Sequence, residues 1–316
     1  MKTSLPLLLS IALLSGCAST SDLERARALG QAVDPDHPFA ESAFVESQDL
    51  RLHYRHWVPS GTPVGRILLI HGFGSSTFSF RFLVPPLLER GWEVAAVDVP
   101  PFGYSDKAAE KLRLPTDRGR LLWAVPEALG WRDPVVLLGH SMGGLYATAM
   151  TEARPVDARA LILLAGAVPT DGKAPAGAPF FAGLLGGFLE SSLHSWKSVK
   201  GQLEGFAGKG VEIPDAMVDG YAAPFQVPGG VAGLLAWSQA GGQTPVHPGK
   251  LRLPVLLVWG EKDGIVKPET GQELKRLIPS SRLVVLPGLG HLAHELQPDQ
   301  VNAVVVPFLD DLPASP

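Results

Sequence analysis

Gly139-His140-Ser141-Met142-Gly143 sets a serine between two glycines, directly after the apolar residues 135–138 and ahead of a helix-like run. A serine hydroxyl is a weak nucleophile near neutral pH. It becomes useful when a base takes its proton and an acid orients that base. A Gly-x-Ser-x-Gly run between a buried strand and a helix forms a nucleophile elbow suited to that chemistry. The turn is sharp, so its neighbours, Gly139 and Gly143, must be small. The N–H groups and partial positive charge of the following helix face a developing oxyanion. An ordinary glycine-rich turn with a solvated serine would use the same residues, so the motif needs partners.

Four histidines lie at or beyond the start of residues 170–247, namely His194, His247, His291 and His294. His291 follows Gly290 directly after the last apolar run, where a side chain can turn back over a sheet edge. His294 falls on or near the next helix, and His194 and His247 lie in or beside a separate, aromatic region. His291 is therefore the expected base. A metal pair made by His291 and His294 lacks a third ligand at metal-binding spacing, so no metal is expected. Asp263, in the Gly-flanked turn GEKDG after VLLVWG, is the expected acid. Glu261 is nearer the strand, and Asp171 follows an earlier one.

These residues need a frame that brings loop ends together. Continuous apolar runs occupy residues 66–72, 94–98, 135–139, 160–165, 255–260 and 283–288, as expected of strands buried on both faces of a parallel sheet. Residues 44–47 and 50–58 read as a preceding hairpin. Helical patterns at 80–90, 116–129, 145–153, 268–277 and 298–312 alternate with the strands, which predicts an open doubly wound α/β sheet. The alternation fails over residues 170–247, which hold eight aromatic residues among glycines and prolines. A structureless loop of that length is implausible. A mainly helical cap over the carboxyl edge of the sheet, where such sheets bind ligands, is expected instead.

Elbow serine, later aspartate and final histidine, each beyond a different strand, resemble the α/β-hydrolase superfamily over residues 44–312. The loop DVPPFGYSD (98–106) is similar to the family's D-x-P-G-x-G-x-S, with Pro101-Phe102 where a glycine is usual. The resemblance implies an eight-stranded, mostly parallel sheet and the order Ser141, Asp263, His291 for nucleophile, acid and base. It implies that Gly-x-x-Asp is the acid's spacing, although some relatives place the acid one strand earlier, at Asp171. It also implies that the oxyanion is held by the amides of Phe73, in the loop HGFGSS, and Met142. His71 and His140 are expected to bond loop backbone. A serine at 141 argues against haloalkane dehalogenases and epoxide hydrolases, which carry aspartate there. The implied reaction is hydrolysis of an ester through an acyl-serine with no cofactor, and the aromatic, charge-poor cap leads us to expect an apolar acyl or alcohol part. A carbon–carbon bond hydrolase, an amidase or lactonase, a perhydrolase, or a lipid-anchored binding protein without turnover are the alternatives.

The 316 residues are 46% hydrophobic and 18% charged, enough for one large core, and the net charge of −4 offers no basic field for nucleic acid. The oligomeric state is not legible. A single cysteine excludes an intrachain disulfide. Its position at Cys17 matters more. Lys2, an apolar run at 5–14 and the ending Leu14-Ser15-Gly16-Cys17 read as a secretory signal too short to span a bilayer. That ending resembles the lipobox of bacterial lipoproteins, which implies a diacylglyceryl group on Cys17 and anchoring in a bacterial cell envelope. By the same resemblance Ala18, where an acidic residue is absent, implies the outer membrane if the cell is Gram-negative. Ordinary cleavage after Ala18 is the simpler alternative. The expected organisation is a signal at 1–16, a tether at 17–40, a core at 41–169 and 248–316, and a cap at 170–247.

Overall fold

Alternate residues of each central strand face opposite cores, and that alternation builds the molecule. In the computed structural model, which describes residues 34–108, 111, 117–170, 195–229 and 246–313, eight strands form one sheet. They are β1 (Ser42–Ser47), β2 (Leu50–Trp57), β3 (Gly65–Ile70), β4 (Trp92–Val97), β5 (Val135–His140), β6 (Ala158–Leu164), β7 (Val255–Gly260) and β8 (Arg282–Leu286). The order across the sheet is β1-β2-β4-β3-β5-β6-β7-β8. β2 runs antiparallel to both β1 and β4, and every later pairing is parallel. Gln48 and Asp49 join β1 to β2 with φ of 49° and 63°, the left-handed pair of a type I′ hairpin turn.

Ile67, Leu69, Val136, Leu138, Ile162 and Leu256 face one core, completed by α1 (Val84–Glu89) and by Val301, Val305 and Phe308 of the C-terminal helix. Their neighbours Leu68, Ile70, Leu137, Leu161, Leu163 and Leu257 face the other. That second core also takes Trp123 from the short helices α2 (Arg118–Leu121) and α3 (Ala124–Ala128), with Leu145 and Met150 from α4 (Met142–Ala153). Burial on both faces is why the strands read as unbroken apolar runs.

The described part of the cap contains α5 (Trp196–Ala207) and α6 (Asp215–Ala222), and its Val199, Leu203, Met217 and Val218 join the second core. After β7 come α7 (Pro268–Leu277), α8 (Ala293–Leu296) and α9 (Pro298–Asp310).

Two helical expectations need correction, and prolines explain both. Residues 80–90 are not one helix: a 3₁₀ turn, Thr77–Phe80, is followed by α1, which starts at Val84 just ahead of Pro85. Residues 116–129 divide into α2 and α3 because Pro126 has no N–H for the Leu122 carbonyl. The expected signal, Cys17 and most of the tether lie outside the described residues, as do Asp171 and His194.

Candidate active site

β5 enters the elbow, Ser141 turns it, and α4 leaves. Ser141 holds φ 51° and ψ −120°, a strained left-handed backbone for a residue with a side chain. Both flanks of its peptide are clamped. Its N–H donates to the Leu164 carbonyl at 3.0 Å, and its own carbonyl accepts from Gly144 N at 2.9 Å and Ala167 N at 2.7 Å. The glycines are steric requirements. A Cβ at Gly139 would lie 2.4 Å from the Gly143 carbonyl oxygen, and one at Gly143 would lie 2.0 Å from the Ile70 carbonyl oxygen. Met142 is the first residue of α4, so its N–H precedes the helical ladder and belongs to the positive end of the helix.

Asp263 and His291 meet across two loops. His291 Nδ1 lies 2.8 Å from Asp263 Oδ2. Asp263 Oδ1 accepts from Ile265 N at 2.8 Å and Val266 N at 2.9 Å, so the turn itself aims the carboxylate. With Nδ1–H given to Asp263, His291 Nε2 is left as the basic nitrogen. His140 fixes the backbone of the same loop, its Nε2 donating to the His291 carbonyl at 3.1 Å. The two rings stand 4.8 Å apart, which brings His291 over the residue preceding Ser141. From the cap, Phe206 approaches the His291 ring to 6.1 Å, and a Cβ at Gly290 would lie 2.6 Å from the Ala207 carbonyl oxygen.

Other acids and histidines go elsewhere. Glu261 accepts from Gly288 N at 2.8 Å. His247 is paired with Glu152 at 3.6 Å on the surface. His294 is buried in α8, its ring 4.2 Å from that of His140. His71 donates from Nδ1 to the Gly72 carbonyl at 2.7 Å and accepts at Nε2 from Val99 N at 2.9 Å, which shapes the loop carrying Phe73. Burial holds His71 and His140 below the usual histidine range, so both remain neutral in these roles. Phe73 packs edge-on against Phe102, ring centroids 5.0 Å apart, so the departure at Pro101-Phe102 fills the loop with an aromatic wall.

Three buried groups near the site gave little signal in the sequence. Asp98 accepts from Thr77 N at 2.6 Å and Tyr104 N at 2.8 Å, and Gly103 is required because a Cβ there would lie 2.0 Å from that carboxylate. Lys107 donates to the carbonyls of Pro101 and Gly103 at 2.9 and 2.6 Å, and burial lowers its ammonium pKa to about 8. Tyr221, from the cap, donates to Glu295. Only the glycine spacing in DVPPFGYSD hinted at the first. Nothing in the sequence marked Lys107, and Tyr221 was one of eight aromatic residues in the expected cap. Ser75, Phe102, Lys107, Tyr221 and Phe225 line a narrow crevice between the loops after β3 and β4 and the cap.

The sheet order, the elbow and the paired aspartate and histidine describe one class of protein. The sequence model for the alpha/beta hydrolase fold matches residues 65–298, more than half of the chain, and the chain belongs to that family. It is 28% identical over 265 residues to the uncharacterized hydrolase YugF of Bacillus subtilis, covering 82% of this chain and 94% of that protein. It is 31% identical over 239 residues to the pimeloyl-[acyl-carrier protein] methyl ester esterase of Neisseria meningitidis serogroup A, covering 72% of this chain and 71% of the other. Among solved structures, the esterase RhEst1 from Rhodococcus superposes with a TM-score of 0.72 at 20% identity, over 86% of this chain and all of that one, a likeness of fold alone. The chain is a hydrolase of this fold.

Proposed function

We propose that the protein hydrolyses a carboxylic ester with an apolar acyl or alcohol part, through an acyl-serine intermediate. One observation carries the reading: a strained, backbone-clamped serine at a helix N-terminus directly follows His140, whose ring stands 4.8 Å from a buried imidazole already paired with a carboxylate. Ser141 Oγ attacks the ester carbonyl while its proton passes to His291 Nε2. Asp263 stabilises the imidazolium. The tetrahedral oxyanion is held by the N–H groups of Phe73 and Met142, and losing one such donor typically costs about 2.7–4 kcal/mol of barrier. Collapse expels the alcohol, which takes the proton from His291. Water then gives a proton to His291 and attacks the acyl carbon. The acid leaves and Ser141 regains its hydrogen.

The ester preference is supported by the aromatic and proline lining of the crevice and by the methyl ester esterase named for the 31% identical relative. The proposal includes a place: Cys17 carries the lipid, and the tether holds the enzyme at a bacterial envelope membrane, with several acyl chains giving stable anchoring where one would be marginal.

The test follows p-nitrophenyl esters of increasing acyl length with the full chain in detergent, wild type beside Ser141→Ala, and circular dichroism as the folding control. Turnover that peaks at one chain length and vanishes in the variant is expected. Turnover surviving in Ser141→Ala would overturn the assignment. A wild type that reacts with a fluorophosphonate at Ser141 yet cleaves no ester would keep the nucleophile and reject the ester class.

A further inference from the structure

Among the contacts between the cap and the core, one buried hydroxyl joins both halves of the proposed site. Tyr221, near the end of α6, donates its phenolic O–H to Glu295 Oε1 and accepts from Ser75 Oγ at 3.1 Å. Ser75 stands two residues beyond Phe73, in the loop that carries a proposed oxyanion donor. Glu295 stands four residues beyond His291, in α8, where Arg81 donates to its Oε2. Tyr221, Ser75 and Glu295 are all buried. The close approach is built in. The residue before the tyrosine is Gly220, whose added Cβ would lie 2.3 Å from the Phe78 ring, so the helix seats directly on that ring. Phe78 and Tyr221 then meet edge-on with centroids 6.3 Å apart, and the Arg81 guanidinium covers the other part of the same cluster, 4.2 Å from the Phe78 centroid.

We propose that Tyr221 is a positioning residue for the hydrolysis, and that a docked cap completes the site. The inference rests on the serine-hydrolase reading above. The Phe73 loop and the His291 segment come from different strand ends, and an error of about 1 Å between reacting groups can cost on the order of 100-fold in rate. A hydrogen bond with a carboxylate acceptor is about twice as strong as a neutral one, so the bridge is directional and stiff. By bonding Ser75 on one side and Glu295 on the other, the Tyr221 hydroxyl holds the two segments at one spacing. Tyr221 also lines the crevice, which puts the bridge where an occupant can sense it.

The experiment compares wild type, Tyr221→Phe, Ser75→Ala and the double variant, as full chains in detergent. It measures kcat and KM on the best p-nitrophenyl ester and the rate and stoichiometry of fluorophosphonate labelling. Tyr221→Phe removes only an oxygen, and Ser75→Ala cuts the same bridge from the other side should the first variant fold poorly. Each single variant is expected to lose about tenfold in kcat with KM within twofold, well short of losing an oxyanion donor outright. Labelling slows similarly at full stoichiometry, and the double variant is no slower than either single. An unchanged kcat, a change confined to KM, or fully additive losses would overturn the role of Tyr221 while labelling of Ser141 in the wild type keeps the hydrolase reading. Absence of labelling in the wild type would overturn both.

Discussion

Ser42 Oγ lies 2.8 Å from His53 Nε2, and His53 Nδ1 lies 2.7 Å from Asp98 Oδ2, so a Ser–His–Asp line also lies outside the proposed site. What separates it from the proposed Ser141, His291 and Asp263 is backbone. Ser42 opens an extended strand and its oxygen already accepts from Phe39 N at 3.1 Å, whereas Ser141 is lifted on a strained turn at the head of α4. Ser141→Ala is therefore expected to abolish fluorophosphonate labelling, while Ser42→Ala labels at the wild-type rate; mass spectrometry of the labelled peptide reads both. Asp263→Asn is a finer test. The amide oxygen can keep the Ile265 and Val266 N–H bonds, so the turn survives. Its NH₂ then faces His291 Nδ1 and forces the wrong tautomer, with an expected loss of about 10⁴ in kcat, readable by steady-state kinetics. His294 gives a pH prediction. Its Nε2 makes no hydrogen bond among the described residues. Burial first, then His291 and Arg81, lowers its pKa to about 3, even with Glu295 Oε1 3.8 Å away. Between about pH 6.5 and 3 the unfolded residue binds a proton and the folded one does not. Its contribution to stability is whole above the unfolded pKa and is lost as pH falls, at up to about 1.4 kcal/mol per unit. Urea midpoints for wild type should drop more steeply from pH 7 to 4.5 than those for His294→Leu.

At the scale of elements, the elbow depends on how closely α4 can approach β3. Gly143→Ala would push a methyl into the Ile70 carbonyl at 2.0 Å, a backbone atom that cannot step aside. A loss of roughly 3 kcal/mol is expected from such overpacking, measured by chemical unfolding. Gly201, in the interior of the cap helix α5, is exposed and meets nothing within 4 Å of an added Cβ. Gly201→Ala should stabilise by about 0.5–1 kcal/mol through helix propensity alone. The opposite signs of two identical substitutions report whether a glycine was kept for contact or merely tolerated.

For the whole molecule, the described cap helices cover the site, and the proposed anchor sets where it works. The cap closes on the sheet edge through Phe206 beside His291, the Ala207 carbonyl beside Gly290, and Tyr221 between Ser75 and Glu295. The proposed anchor is separate from that chemistry. Cys17→Ala is expected to abolish incorporation of labelled palmitate and to release the chain from the membrane fraction, with kcat of the purified protein unchanged. Retention of the label in Cys17→Ala would refute the anchor.

The central strands β3 to β7 were legible because each is a short, mainly apolar run buried deep in the sheet, and all eight strands lie within a few residues of their expected places; β8, expected to be buried on both faces, is instead a part-exposed edge strand, because no further strand pairs beyond it. The elbow was legible because its Gly-x-Ser-x-Gly pattern is local: a Cβ at Gly139 would meet the Gly143 carbonyl, whereas the Ile70 carbonyl that requires Gly143 is brought there by the sheet. Helix limits at 80–90 and 116–129 were not, since Pro85 and Pro126 compete with the helical pattern there. That the carboxylate facing His291 belongs to Asp263 and not Glu261 follows from the turn, whose N–H groups at Ile265 and Val266 point one carboxylate inward while Gly288 draws the other away. Tyr221 had no local signature at all: its meaning comes from Ser75, 146 positions earlier, and Glu295, 74 later. Periodicity and steric limits act between near neighbours and are written in order along the chain. Hydrogen bonds between loops depend on which strand ends lie side by side, and only the folded sheet decides that.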